Sequence, residues 1–294
     1  MLVIPACALS AGFNVALVLS NNSAPYQEFV SAFNHKMVGA AQVSVFESPA
    51  DYSANHGKAD IVVTVGMSAT ETVLLDQRAP ILAVMVPQSA YESLLKQHSS
   101  HSKVISVIYL NQPWDRQIDF LFAALPHSQR VGVLHTAVTR GELGDIGPEI
   151  KRYGARLIAH EMAAESALSE SLDDLLHDSD VLLAVPDSAI YSSSNIRNIL
   201  LSTYRQNVPL LGWSQAFVNA GAVAAIFSTP EQLAVQAAVK TLAYQQSGNI
   251  VTSQYPVEFN IAINRQVAHS LRLVIPSEVE IRTRMKKGGN HADD

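Results

Sequence analysis

Short apolar runs, each broken by a turn and followed by a stretch of helical periodicity, recur along the whole chain. In the first part the pattern predicts strands over residues 14–19, 42–46, 61–65, 81–86 and 103–110. Helices fall after these strands: from Pro25 to about residue 37, with Phe29, Val30 and Phe33 at helical spacing, then about 69–77, 91–97 and 116–125. A second series of strands starts at 131–134 and continues at 155–160, 181–185, 209–212 and 222–227, with helices near 142–153, 167–177, 196–205 and 231–246. Residues 257–263 read as a last strand and 264–271 as a short helix. An apolar run bounded by turn residues, then a helical pattern, then another such run is the mark of a parallel βαβ unit. The predicted class is therefore α/β.

The series is written twice. Asp60-Ile-Val-Val-Thr-Val-Gly-Met-Ser-Ala aligns with Asp180-Val-Leu-Leu-Ala-Val-Pro-Asp-Ser-Ala, and each leads through a helix to a Pro-[Ile/Leu]-Leu strand start, at Pro80 and Pro209. Upstream, Phe13-Asn-Val-Ala-Leu-Val-Leu-Ser resembles Arg130-Val-Gly-Val-Leu-His-Thr. Two similar halves predict two Rossmann-like lobes with a cleft between them. Residues 13–112 with part of 230–255 form one lobe and 113–229 the other; 256–273 form a closing hinge strand and helix, and 1–12 and 274–294 are tails. Breaks near Asn111 and Thr229, with the last strand, make three crossovers, a hinge that bends without letting the lobes drift apart. No low-complexity linker separates the lobes, which fits such a hinge.

Composition narrows the partners. In 294 residues, 48% are hydrophobic and 16% charged, enough apolar material for two cores of ordinary size. The net charge of −6 and the lack of a Lys/Arg run argue against nucleic acid. The basic cluster over residues 282–287 lies in IRTRMKKGGNHADD, read as a solvated tail. One cysteine, Cys7, excludes an intrachain disulfide, and no apolar run reaches the roughly 18 residues of a membrane span. The leader MLVIPACALSAG reads equally as an ordinary frayed terminus or as a secretory signal with its beginning curtailed, and Cys7 as a weak lipid-attachment candidate.

The chain has no GxGxxG, GxxxxGK[ST], HExxH or GxSxG. Of its ten histidines only His98 and His101 are neighbours, on a polar turn better read as surface than as metal ligands. The reading assigns no catalytic residue, metal or cofactor. In open parallel sheets ligands bind outside the carboxyl ends of strands, and the chemistry of this chain gathers there. Ser20, Asn21, Asn22, Thr64, Ser68, Ser89, Ser188 and Ser214 offer neutral hydrogen bonds or helix caps. Gly66 and Gln88 sit at the same turns. Tyr191 and Trp213 offer aromatic walls and Tyr26 reads evenly as facing the cleft or packing on the sheet, whereas Phe217, at helical spacing from Trp213, reads as core and Trp114 equally as hinge packing or contact. Asp187 would favour an ammonium group or cap the helix that follows, and Arg140 is a carboxylate partner or a free surface arginine.

The segment Pro186-Asp-Ser-Ala-Ile-Tyr-Ser-Ser-Ser-Asn-Ile-Arg-Asn-Ile-Leu-Leu, with Val208-Pro-Leu-Leu-Gly-Trp-Ser, Gly221-Ala and Ser228-Thr-Pro, resembles the ABC transporter substrate-binding proteins. The likeness is to their tryptophan/tyrosine-uptake-like branch, within the type I periplasmic binding proteins. Asn260-Ile-Ala-Ile-Asn-Arg-Gln-Val-Ala is similar to that family's closing strand and helix, and the resemblance runs through residues 13–273. It implies a two-lobed, hinge-closing receptor, periplasmic or otherwise extracytoplasmic, that captures a small solute such as an amino acid or polar aromatic for an ABC permease. Some members serve sensing instead, so a sensor protein is the alternative partner. An α/β enzyme using the same cleft is a third reading, which lacks its motif here. Where members often carry Asp-Pro after the fourth strand, this chain has Val86-Pro87-Gln88-Ser89, so a candidate ammonium partner is missing at that turn.

Overall fold

A computed structural model describes residues 12–55, 57–76, 79–98, 105–250 and 252–289. The leader with Cys7, and His101, lie outside these residues. The described residues divide into two compact units. Unit 1 draws on Met1–Val86, Leu94–Ile108 and Pro230–Gln254, and unit 2 on Pro87–Ser93, Tyr109–Thr229 and Tyr255–Asp294.

Unit 1 begins with β1 (Asn14–Leu19), α1 (Ala24–Met37), β2 (Gln42–Phe46), α2 (Pro49–Asn55), β3 (Ile61–Val65), α3 (Met67–Asp76) and β4 (Ile81–Val86). Then come α4 (Gln88–Gln97), whose first turns belong to unit 2, and β5 (Ile105–Tyr109). The sheet order is β2-β1-β3-β4-β5, and β1 runs parallel to both neighbours, Val15 opposite Val43 on one side and Ile61 on the other. The central strands are apolar at nearly every position because helices cover both faces; β3 is buried throughout, whereas the edge strand β2 shows Gln42 and Ser44 to solvent. The helical spacing seen in the sequence buries Phe29, Phe33 and Met37. Helix α2 was not foreseen. Ser48 caps it, its Oγ accepting from Asp51 N at 3.1 Å, Pro49 takes the first turn where its missing N–H costs nothing, and Tyr52 is buried.

Unit 2 continues with α5 (Trp114–Ala124), β6 (Arg130–His135), α6 (Leu143–Arg152), β7 (Arg156–Glu161), α7 (Leu168–His177), β8 (Val181–Leu183), α8 (Ile196–Arg205), β9 (Leu210–Gly212), α9 (Gln215–Ala220) and β10 (Ala224–Phe227). The chain returns to unit 1 for α10 (Pro230–Ser247), which packs on α1, and ends in unit 2 with β11 (Asn260–Ile263), α11 (Arg265–Ser270) and α12 (Glu278–Gly289). The second sheet, β11-β10-β9-β8-β6-β7, repeats the first order and adds β11 antiparallel to β10.

The internal repeat has a physical counterpart. Asp60 and Asp180 each stand just before the strand beside the first strand of their unit, and each accepts hydrogen bonds from that strand's beginning. Asp60 Oδ2 takes Asn14 N at 2.8 Å; Asp180 Oδ2 takes Gln129 N and Arg130 N, both at 2.9 Å, and its Oδ1 pairs with the Arg130 guanidinium at 2.8 Å.

The stretch read as a solvated tail is instead helix α12, opened by a reciprocal capping box. Ser277 N donates to Glu280 Oε2 at 2.8 Å, and Glu280 N donates to Ser277 Oγ at 3.3 Å. Ile281 is fully buried and Met285 nearly so against α5, while Arg282 lies 4.6 Å over the Phe259 ring. Its basic residues flank a buried stripe, which a charge-based reading of the segment hides.

Candidate functional site

In unit 1 the candidates gather at the carboxyl ends of β1 and β3. Ser20 Oγ accepts from Ala69 N at 3.0 Å and so caps the first turn of α3 from across the sheet. Gly66 has φ +89°, and a Cβ there would lie 2.4 Å from the Tyr26 hydroxyl and 2.7 Å from Ser20 Oγ, so only glycine fits beneath Tyr26. Burial raises the Tyr26 pKa, and its bond with Ser20 partly opposes the rise. Asn21 Oδ1 accepts from Ser23 N, Asn22 donates to Glu47 Oε2, and Ser68 is exposed. Thr64 corrects one expectation: it is fully buried, its hydroxyl 2.8 Å from that of Thr70, which in turn donates to Gly66 O. It stiffens the turn and offers no surface.

In unit 2 the strand ends form a cavity of about 300 Å³ lined by Ser89, Thr136, Thr139, Asp187, Tyr191 and Trp213 among others. Larger hollows exist, but the one of about 880 Å³ takes in Ser128, Asp180 and Pro209, the amino ends of β6, β8 and β9. The smaller cavity lies where the topology places ligands. Asp187 forms its floor and is 6% exposed. Its Oδ2 accepts from the Thr136 hydroxyl at 2.7 Å and the Thr139 hydroxyl at 2.8 Å, and its Oδ1 from Ala189 N at 3.0 Å. No Lys, Arg or His is among the described residues lining the cavity.

Trp213 meets Tyr191 edge to face at 5.2 Å and 86° and rests on Phe217 at 4.1 Å. Gly212 permits this stack, since a Cβ there would sit 2.5 Å from that of Phe217. Ser214 caps α9, its Oγ accepting from Phe217 N at 3.4 Å. Ser188 is exposed at the rim. The Tyr191 hydroxyl is buried without a hydrogen-bond partner; desolvation and the Asp187 carboxylate both raise its pKa. Gln88 is engaged elsewhere, its N donating to Asn111 Oδ1 at 2.9 Å and its Nε2 to Glu92 at 2.9 Å.

Arg140 is a correction. Its guanidinium pairs with Glu161, its side chain is 60% exposed, and it does not line the cavity. The helical turn it opens ends instead at Glu142, which the sequence reading missed. Glu142 is 8% exposed, is hydrogen-bonded to Ser89 and leaves Oε2 without a partner. Burial pushes its carboxyl up to about 7; the Ser89 bond lowers it, and Glu92, Asp187 and Asp145 raise it. Thr136 and Thr139 were missed as well, although one signal was present: in the internal alignment Thr136 directly follows β6 as Ser20 directly follows β1.

Two sheets of matching strand order, with polar and aromatic groups at the carboxyl ends, define the type I periplasmic binding protein fold, and solved structures agree. A Streptococcus pneumonia ABC domain in complex with L-Trp aligns over 92% of this chain and 98% of its own at 12% identity, with a TM-score of 0.66. A conserved domain protein from Vibrio cholerae covers 93% and 98% at 16% identity and 0.67. A ligand-free, open substrate binding protein with adhesive properties from Clostridium difficile covers 90% and 97% at 12% and 0.67. No curated protein matches the chain by sequence. The family model "ABC transporter substrate binding protein" matches residues 53–287, and the chain belongs to that family. It is a solute-binding family of extracytoplasmic proteins, and no described helix of this chain is long and apolar enough to cross a membrane.

Proposed function

We propose that this protein captures a small amine-bearing molecule with an apolar or aromatic body, an aromatic amino acid being the leading type, and hands it to an ABC permease outside the cytoplasm. One observation carries the ligand class: Asp187 is a buried carboxylate with hydroxyl and amide donors but no cation among the described residues lining its cavity, which Trp213 and Tyr191 also line. A buried carboxylate is costly unless paired, and an ammonium group supplies the pairing while its apolar body covers the aromatic wall. Gln88, Ser188 and Ser214 of unit 2 are further candidate contacts, and Ser20, Asn21, Asn22, Tyr26, Gly66 and Ser68 are the candidates within unit 1. The family's solute-binding role supports a receptor without catalysis.

The test is a thermal-shift screen of amino acids, amines, nucleosides, sugars and small carboxylates, starting with L-tryptophan, followed by calorimetry on whatever binds. Binding to the native state raises the melting temperature by mass action. Trp213→Ala and Asp187→Asn are expected to weaken binding at least tenfold while each variant still melts cooperatively. Unchanged affinity in both variants would remove this pocket from the site.

A further inference from the structure

The pocket has a second acid behind its wall. Ser89 lines the cavity and is bonded to Glu142, and Glu142 shares with Tyr191 the property of a buried oxygen without a hydrogen-bond partner among the described residues. The groups around Glu142 are all acidic or neutral. Glu92 comes from α4, Asp145 from α6 and Asp187 from the turn after β8, and Tyr255 lies close enough for Glu142 to raise its pKa. His135, at the end of β6, is buried with Nδ1 3.1 Å from Thr136 O, and Arg140, two residues away, is held by Glu161 on the surface. Burial first, and then these acids, push the Glu142 carboxyl up.

We propose that Glu142 is a specificity-determining carboxyl of this pocket, and that a ligand bearing an ammonium group binds with release of a proton from it to solvent. The proposal rests on the pocket being the ligand site. The exchange balances in charge. A cation enters a region already holding Asp187, and the carboxyl proton of Glu142 leaves, so that two anions face one cation where one anion stood before. The ammonium carries three N–H donors, and the acceptor available to it is the Asp187 carboxylate, in a cavity that Ser89 and Tyr191 also line. Glu142, acting through Ser89 and through its field, sets how strongly that positive charge is held. It is a positioning residue, and a neutral ligand gains nothing from its ionisation.

The experiment uses the full chain, wild type and Glu142→Gln, with L-tryptophan, tryptamine, phenethylamine and the remaining amino acids as probes. Affinities are read at pH 6 and pH 8 by calorimetry, in phosphate and in MOPS, whose different ionisation heats report proton release. A carboxyl that titrates near 7 is about one-tenth ionised at pH 6 and nine-tenths at pH 8. The wild type is therefore expected to bind its amine about tenfold more tightly at pH 8 and to release protons at pH 6. Glu142→Gln is expected to lose both effects. An ammonium ligand bound equally at both pH values, with no buffer-dependent heat, overturns the proposal and leaves the receptor reading standing. Binding only of compounds without an ammonium group, or of no compound, overturns both.

Discussion

Replacing Glu142 by glutamine removes one ionisation and preserves the side chain's shape and its reach to Ser89. In the wild type the folded carboxyl titrates at about 7, against 4.5 for an unhindered glutamate. Between these values the folded state binds more protons than the unfolded state, so this group takes stability away as pH rises from about 4.5 to about 7, and the loss is complete above that. At about 1.4 kcal/mol per pH unit the interval corresponds to roughly 3 kcal/mol. Glutamine carries no such penalty. The variant is therefore expected to match the wild type near pH 5 and to exceed it by about 3 kcal/mol at pH 8, or on the order of 6–12 °C in melting temperature for a unit of this size. Scanning calorimetry of both proteins from pH 5 to 8.5 without ligand reads the difference directly. A melting-temperature difference that stays constant across that range would show that Glu142 ionises at an ordinary value, and the argument from its burial among acids would fail.

Gly66→Ala is expected to cost about 2–4 kcal/mol, since the new methyl group meets the Tyr26 hydroxyl and Ser20 Oγ at a positive φ; urea unfolding checks it. Ile281→Ala should cost about 2–4 kcal/mol, because Ile281 is fully buried, and a loss near zero would return α12 to the status of a tail. For Asp180, burial raises the pKa, but the Arg130 side chain and the amides of Gln129 and Arg130 outweigh it and hold the carboxyl below its ordinary range. Its contribution is present above the unfolded pKa and lost as pH falls, so Asp180→Asn should lower stability at pH 7 by about 1–2 kcal/mol and flatten the acid limb of the stability curve.

Much of the fold was legible in the pattern of apolar runs. Strands β1, β3 and β4 have the predicted bounds, because a strand covered on both faces must be apolar at nearly every position and its ends must turn. The short elements were not legible. Helix α2 and the six-residue α9 carry too few turns to show a period, and α12 displays its charges while its buried stripe, among the described side chains, is Ile281 and Met285.

The sequence by itself determined the α/β class, the doubled series of strands and the gathering of polar and aromatic residues at strand ends. These follow from local periodicity and from turn chemistry, which a chain carries wherever it folds. Only the tertiary structure decided which of those residues face a cavity. Thr64 and Arg140 look as available in sequence as Ser89 and Asp187. Yet one is sealed against Thr70 and the other is drawn out to Glu161, while Thr136 and Thr139 converge on Asp187 from 51 and 48 positions away. Glu142 makes the point most sharply. Its charge state depends on Ser89, Glu92, Asp145 and Asp187, which three separate segments bring together. A pKa is set by distances through space, and distance along the chain does not encode them.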